Sequence, residues 1–256
     1  MKAIGIIPAR LGATRYPNKP MAAILGMPMV GHCYHRTRLA AGIAAAYVAT
    51  CDEEIAEYVR RIGGAAVMTA TSHKRATTRT AEAMEKIEAQ TGERPDVVVM
   101  VQGDEPLIPP KTIAETLRHF GDPAVEIVNI MSRLRTREQF IDKNNVKVVV
   151  NQSNDALYFS REPIPSAWKG FDTLPMYMQT GIIAFRREVL LRFNRMAETP
   201  LEQIESVDMN RVLETGGRIR MVLTEAVTIG VDTPQELQQA EELMRGDPTL
   251  VDYLAT

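Results

Sequence analysis

The chain has 256 residues, 45% of them hydrophobic, with 30 Lys+Arg against 32 Asp+Glu. That is enough apolar material for one large core, while the near-balanced charge excludes wholesale electrostatic binding of nucleic acid and requires any polyanionic ligand to be met by a local cluster of cations. Only Cys33 and Cys51 occur, which excludes a disulfide framework and fits two buried thiols in a reducing compartment.

No apolar run approaches the ~20 residues that span a bilayer, and the N-terminal run lacks the extended apolar region and small-residue cleavage site of a secretory leader. The expectation is a cytoplasmic protein with no membrane or nucleic-acid partner. In chain order, "KAIGIIPA" reads as a strand, "PMVGHCYHRTRLAAG" as a helix, "AAYVATCD" as a strand and "EEIAEYVRRIG" as a helix. "AAVMTA" is the next strand, "TRTAEAMEKIEAQTG" a helix, and "PDVVVMVQGDEPLIPP" a fully buried strand running into a loop. "PKTIAETLRHFG" and "VEIVNIMSRL" repeat helix and strand. This alternation is an α/β pattern, a mostly parallel, Rossmann-like sheet covered by helices.

From about Asn145 the rhythm changes. "VKVVVNQSNDALYFSREPIP" reads as two strands joined at Ser153–Asn154–Asp155, followed by the irregular loop "SAWKGFDTLP". "YMQTGIIAFRREVLLRFN" is a strand passing into a helix, and "PLEQIESVDMNRVLETGG" one helix stopped by Gly216 and Gly217. "RIRMVLTEA" and "TIGVDT" are late strands, and "TPQELQQAEELMRG" closes the chain as a helix with Thr233 as N-cap and Pro234 in its first turn. The arrangement is a single domain over residues 1–256 with a β-rich insert at about 130–190.

Two carboxylates stand where buried strands end: Asp104 after Val97–Val101, and Asp232 after Thr228–Val231. Ligands of open parallel sheets bind at the carboxyl ends of strands, and two hard oxygen donors there suit Mg²⁺ shared with substrate phosphates. The loop after the first strand, "PARLGATRYPNKP", also reaches that edge; Arg10 and Lys19 can neutralise phosphate and Arg15 offers a further guanidinium. It is neither a P-loop nor a dinucleotide fingerprint. Plainer readings stay open: Asp104 as a turn residue before Pro106, Asp232 as a charge favoured at a helix N-terminus, the loop as a solvated basic stretch. His32, His35 and His119 have no third metal ligand at useful spacing and read as structural or surface residues.

"IIPARLGATRYPNKPM", "VQGDEP", "NNVKVVV", "ALYFSREPIP", "PLEQIE" and "GVDTPQEL", in that order from Ile6 to about Leu243, resemble the motifs of 3-deoxy-manno-octulosonate (KDO) cytidylyltransferases, the CMP-KDO synthetases. The resemblance implies a nucleotidyltransferase fold that moves a cytidylyl group from CTP to the anomeric hydroxyl of an acid sugar, with Mg²⁺ and release of pyrophosphate. It makes Arg10 and Lys19 triphosphate-binding, Asp104 and Asp232 metal-binding, and Gln102 with Pro8, Ala9 and Arg10 the cytosine site. Tyr158 and Arg161 of "ALYFSREPIP" fall in the sugar-acid region together with Glu205 of "PLEQIE". It also implies a homodimer built through the inserted region, where Trp168 either caps a sugar pocket or packs at the subunit contact.

Three segments depart from the family pattern. His-x-Ser-Gly-Thr-Asp/Glu-Arg becomes His73-Lys74-Arg75-Ala76-Thr77-Thr78-Arg79, keeping His73, Thr77 and Arg79. Met178 and Gln179 stand for Arg-His, and Asp208-Met209-Asn210 for Glu-Gln-Leu. Thr77 and Arg79 are expected at the nucleotide, and Gln179 and Met209 at the sugar, although Met209 equally suits core packing. Such changes can redirect acceptor specificity. A transferase for a phosphorylated sugar or alcohol, or a nucleotide-binding protein without turnover, are the alternatives.

Overall fold

The computed structural model describes residues 1–12 and 16–254. Strand β1 (Ala3–Pro8) is buried along its whole length; it and β6 (Val97–Val101) carry the continuous apolar runs of strands covered on both faces. Their side chains alternate accordingly. Ile4, Ile6, Val98 and Met100 pack beneath helices α3 (Ala76–Thr91) and α6 (Arg187–Arg195). Ala3, Ile7, Val97, Val99 and Val101 pack beneath α1 (Met29–Arg38), α2 (Glu53–Arg61) and α4 (Pro110–Arg118).

The remaining strands are β2 (Ala23–Ile24), β3 (Met27–Pro28), β4 (Ile43–Thr50), β5 (Ala65–Met68), β7 (Ile127–Arg133), β8 (Lys147–Val150), β9 (Ala156–Ser160), β10 (Tyr177–Arg186) and β11 (Arg220–Thr224). The main sheet runs β11-β7-β10-β6-β1-β4-β5, while β2 and β3 form a separate small hairpin. Its pairs are parallel except around β10, which is antiparallel to β6 and β7. β10 changes neighbours along its length: Tyr177 and Met178 pair with β8 of the β8–β9 hairpin, whereas Ile182 to Arg186 pair with β6. Its register against β7 breaks between Gln179 and Ile183. Such a bulge bends the strand and re-aims its side chains.

Most elements agree with the sequence reading, with four differences, the first being the β2–β3 hairpin, which was not expected. Residues 200–217 are not one helix but α7 (Pro200–Glu205) and α8 (Asn210–Glu214), because Ser206 takes a left-handed conformation (φ 52°). "TIGVDT" joins no ladder; Val231 N–H donates to the Asp104 carbonyl instead, at 2.9 Å. A short helix α5 (Arg137–Ile141), capped by Thr136 Oγ1 accepting from Gln139 N–H, was not expected. The last helix, α9 (Pro234–Met244), is capped by Thr233 as read. Among the described residues, no helix is long and apolar enough to cross a membrane.

His32 on α1 is buried with Nδ1 2.8 Å from Tyr253 Oη and Nε2 2.9 Å from Ile24 O, and burial lowers its pKa from 6.5 to about 4. The native state therefore refuses a proton that the unfolded chain accepts, so this contribution to stability is present above pH 6.5 and is lost as pH falls toward 4, up to about 3 kcal/mol. Urea unfolding across this window should show a flatter pH dependence in His32→Gln than in the wild type.

Candidate functional site

The site begins in the loop after β1. Leu11 N–H donates to Asp52 Oδ2 at 2.8 Å, and Asn18, in a left-handed conformation (φ 58°), donates its N–H to Leu11 O at 3.1 Å. The loop thus closes on itself and returns Lys19 to the strand edge, at the start of a 3-10 turn whose next residue is Pro20. There the Lys19 ammonium lies 2.8 Å from Asp104 Oδ2 and 2.8 Å from Asp232 Oδ1. Burial opposes its charge, but Asp104, then Asp232, outweigh burial and hold the ammonium above its ordinary pKa. Sequence positions 19, 104 and 232 thereby form one cluster.

The cluster sits in a cavity of about 450 Å³ at the carboxyl edge of β1 and β6. Pro8, Ala9, Arg10, Gln102, Thr77 and Arg79 all line it. Arg10 is exposed, its Nη1 donating to His73 O at 3.4 Å. Thr77 donates to Asp208 Oδ2 at 2.6 Å, and the buried Arg79 donates to Thr69 Oγ1. Arg15 lies outside the described residues.

The β10 bulge forms the opposite wall. Gln102 N–H donates to Gly181 O at 2.9 Å and Gly181 N–H to Glu105 Oε1 at 2.7 Å. A Cβ on Gly181 would meet Gln102 Cβ at 2.8 Å and Glu105 Cγ at 3.0 Å, so only glycine permits this approach. Burial, reinforced by the Asp104 charge, raises the Glu105 pKa to about 7. Among the described residues, Glu105 Oε2 and Gln179 Oε1 are buried without a hydrogen-bond partner.

Arg161 and Gln179 also line the cavity, but three expected sugar-site residues do not. Met209 is fully buried in the main core, its place on the wall taken by Asp208. Tyr158 and Glu205 stand behind Arg161: the Glu205 carboxylate accepts from Tyr158 Oη at 3.0 Å, Ser160 Oγ at 2.7 Å and Arg161 N at 2.8 Å. Burial works against that carboxylate, yet these bonds keep its pKa below the usual range. Arg161 Nε donates back to Glu205 O at 2.8 Å, so the pair fixes the guanidinium rather than meeting a ligand itself.

Sequence reasoning passed over Asp208, Glu105 and Lys147. Lys147 is fully buried, with Nζ donating to Asp142 O at 2.8 Å, Asn145 O at 2.7 Å and Arg161 O at 2.5 Å. A lone lysine inside the apolar run "VKVVV" was the available signal. Arg75, one of the departing residues, donates through Nη1 to Ser206 Oγ at 3.0 Å and ties the N-terminus of α3 to the α7–α8 turn.

Residues 4–220 match the cytidylyltransferase family. The 3-deoxy-manno-octulosonate cytidylyltransferase of Geobacter metallireducens is 44% identical, over 94% of this chain and 97% of that relative. The chain belongs to this cytidylyltransferase family. The Escherichia coli 3-deoxy-manno-octulosonate cytidylyltransferase is 38% identical over 95% of this chain and 96% of its own length. A solved CMP:2-keto-3-deoxy-manno-octonic acid synthetase complexed with CTP superposes with a TM-score of 0.86 at 38% identity, covering 96% of this chain and 99% of that one. The resemblance read from the motifs and the nucleotidyltransferase fold both hold, and the protein is a nucleotidyltransferase.

For a cytidylyltransferase the donor set at Asp104 and Asp232 is informative. Among the described residues no group of three or more His, Cys, Asp or Glu side chains could hold a metal, so the chain offers two carboxylates, which already have a cation between them. That fits a hard divalent ion completed by phosphate and water oxygens. Lys19→Met leaves the two carboxylates facing each other without a counter-charge. It should lower the unfolding free energy by about 1–2 kcal/mol, less than for a fully buried pair because both carboxylates are partly solvated. Calorimetry should then show millimolar Mn²⁺ raising the melting temperature of the variant and not of the wild type.

Proposed function

We propose that the chain transfers a cytidylyl group from CTP to the anomeric hydroxyl of KDO or a related 3-deoxy-ulosonic acid, with Mg²⁺, in the cytoplasm. The observation that carries this reading is the junction of Asp104, Lys19 and Asp232 inside a cavity that Arg10, Arg75, Arg79 and Arg161 also line. A relative of closely similar fold is described as complexed with CTP.

The reaction asks for alignment and charge neutralisation rather than a protein nucleophile. The anomeric oxygen forms a bond to the α-phosphorus, the bond from that phosphorus to the bridging oxygen breaks, and pyrophosphate departs with the electron pair while the hydroxyl proton is lost to solvent. Mg²⁺ bound by Asp104 and Asp232 would polarise phosphate oxygens at that centre. Arg10 and Lys19, once Lys19 is exchanged from the carboxylates, neutralise charge on the departing pyrophosphate. The backbone of Pro8, Ala9 and Arg10 with Gln102 offers the cytosine its edge contacts, and Arg161, held by Glu205, meets the sugar's carboxylate. Gln179 brings a neutral amide to the acceptor wall where the family pattern has a histidine, which supports an acceptor that differs from KDO in its hydrogen-bonding groups.

Pyrophosphate release from CTP and Mg²⁺ with a panel of ulosonic acids tests the reading; the expected outcome is turnover with at least one, and silence with all of them contradicts it. Asp104→Asn and Asp232→Asn should each reduce kcat by about 10²-fold or more with the circular dichroism spectrum unchanged. We also infer a homodimer through the β8–β10 region, supported by Trp168 at 91% and Leu174 at 71% exposure. Light scattering should return twice the 28.5 kDa chain mass, and a strictly monomeric mass would rule it out.

A further inference from the structure

After α9 a 3-10 turn, Pro248–Asp252, leads to Tyr253, which is 3% exposed. Its ring stacks on His35, centroids 5.1 Å apart and planes 7° from parallel. Its hydroxyl lies 3.1 Å from Arg36 Nε and 2.8 Å from His32 Nδ1. A guanidinium only donates, so the hydroxyl accepts from Arg36 and passes its own proton toward His32 Nδ1. His32 then carries its ring proton on Nε2 and donates it to Ile24 O, 2.9 Å away. Arg36, fully buried, donates through Nη1 to Leu107 O at 3.3 Å and pairs through Nη2 with Asp247 at 2.6 Å.

The two carbonyls that end this chain of bonds flank the functional cluster. Leu107 follows Asp104 in the same loop, and Ile24 follows the turn that begins at Lys19. Val231, next to Asp232, packs with Ile24, Leu107, Met29, Ala240 and Met244 in one apolar cluster, and its N–H donates to Asp104 O at 2.9 Å. All three segments that meet at the Lys19 ammonium therefore rest on one small core, and two of them are tied by hydrogen bonds to His32 and Arg36, which both bond the Tyr253 hydroxyl. A buried polar network of this kind permits one arrangement when complete and is costly when one member is missing.

We propose that Tyr253, acting through Arg36 and His32, is a positioning residue that sets the relative placement of Lys19, Asp104 and Asp232. This inference rests on reading Asp104 and Asp232 as the metal-binding pair. Nothing in the proposed reaction brings Tyr253 into contact with substrate.

Electron paramagnetic resonance titration of Mn²⁺ with CTP present and no acceptor reads binding without turnover. Tyr253→Phe keeps the ring and its stacking and removes only the hydroxyl; it should weaken Mn²⁺ binding by about tenfold and raise the metal concentration for half-maximal pyrophosphate release. Arg36→Lys keeps the charge but cannot reach the three partners of Arg36 in one planar fork; it should behave alike and carries the test if the tyrosine variant does not fold. Ile87→Val, a change in the main core, should lower the melting temperature and leave Mn²⁺ affinity untouched. Wild-type Mn²⁺ affinity in Tyr253→Phe, whatever its melting temperature, overturns the proposal. A wild type that binds Mn²⁺ and CTP but releases no pyrophosphate with any ulosonic acid fails the functional reading alone, and the binding data still decide the role of Tyr253.

Discussion

The ion triplet of Asp104, Lys19 and Asp232 is the constraint around which the rest of the site is arranged. Two carboxylates this close repel unless a cation lies between them, and the ammonium at 2.8 Å from each supplies it. Holding the three groups in register requires a loop that folds back after β1, a strand end at β6, and the extended segment before α9. Each is immobilised by main-chain bonds: Asn18 to Leu11, Gln102 to Gly181, Val231 to Asp104.

The second organising feature is the change of neighbours along β10. Where it leaves β8 and joins β6, its ladder is interrupted and Gly181 comes against Gln102 and Glu105. That interruption brings Met178 to Gly181 against Gln102 to Glu105 in one cavity. Arg75 bonds Ser206 and Thr77 bonds Asp208, so the departing residues Arg75 and Asp208 lie on the two sides of one contact between the start of α3 and the α7–α8 turn. Changes at 75, 179 and 208 thus alter one surface, not three.

Much of this was legible beforehand because periodicity and strand-end carboxylates are local signals. Apart from the short β2–β3 hairpin, the elements up to β7, the β8–β9 hairpin and the capped last helix follow from apolar runs, turn residues and the Thr233-Pro234 cap. The break at Ser206 did not, because residues 200–214 have the spacing of one helix and the left-handed turn accompanies contacts with Arg75 and Thr77 more than a hundred positions earlier. Met209 and Asp208 were exchanged for the same reason: which of two neighbours faces the cavity depends on that turn. Tyr158 and Glu205 were assigned to the ligand, whereas their polar atoms are used to fix Arg161.

By itself the sequence determined the α/β alternation, the family motifs, and the placement of Asp104 and the Arg10–Lys19 loop at strand ends, because each depends on residues within a few positions of one another; the strand expected before Asp232 did not form. Only the tertiary structure decided that Lys19 lies between the two carboxylates, that Gly181 meets Gln102 and Glu105, and that the Tyr253 hydroxyl bonds His32 and Arg36. Those contacts join residues 76 to 221 positions apart, a distance over which no local pattern carries information and only the packing of the folded chain chooses partners.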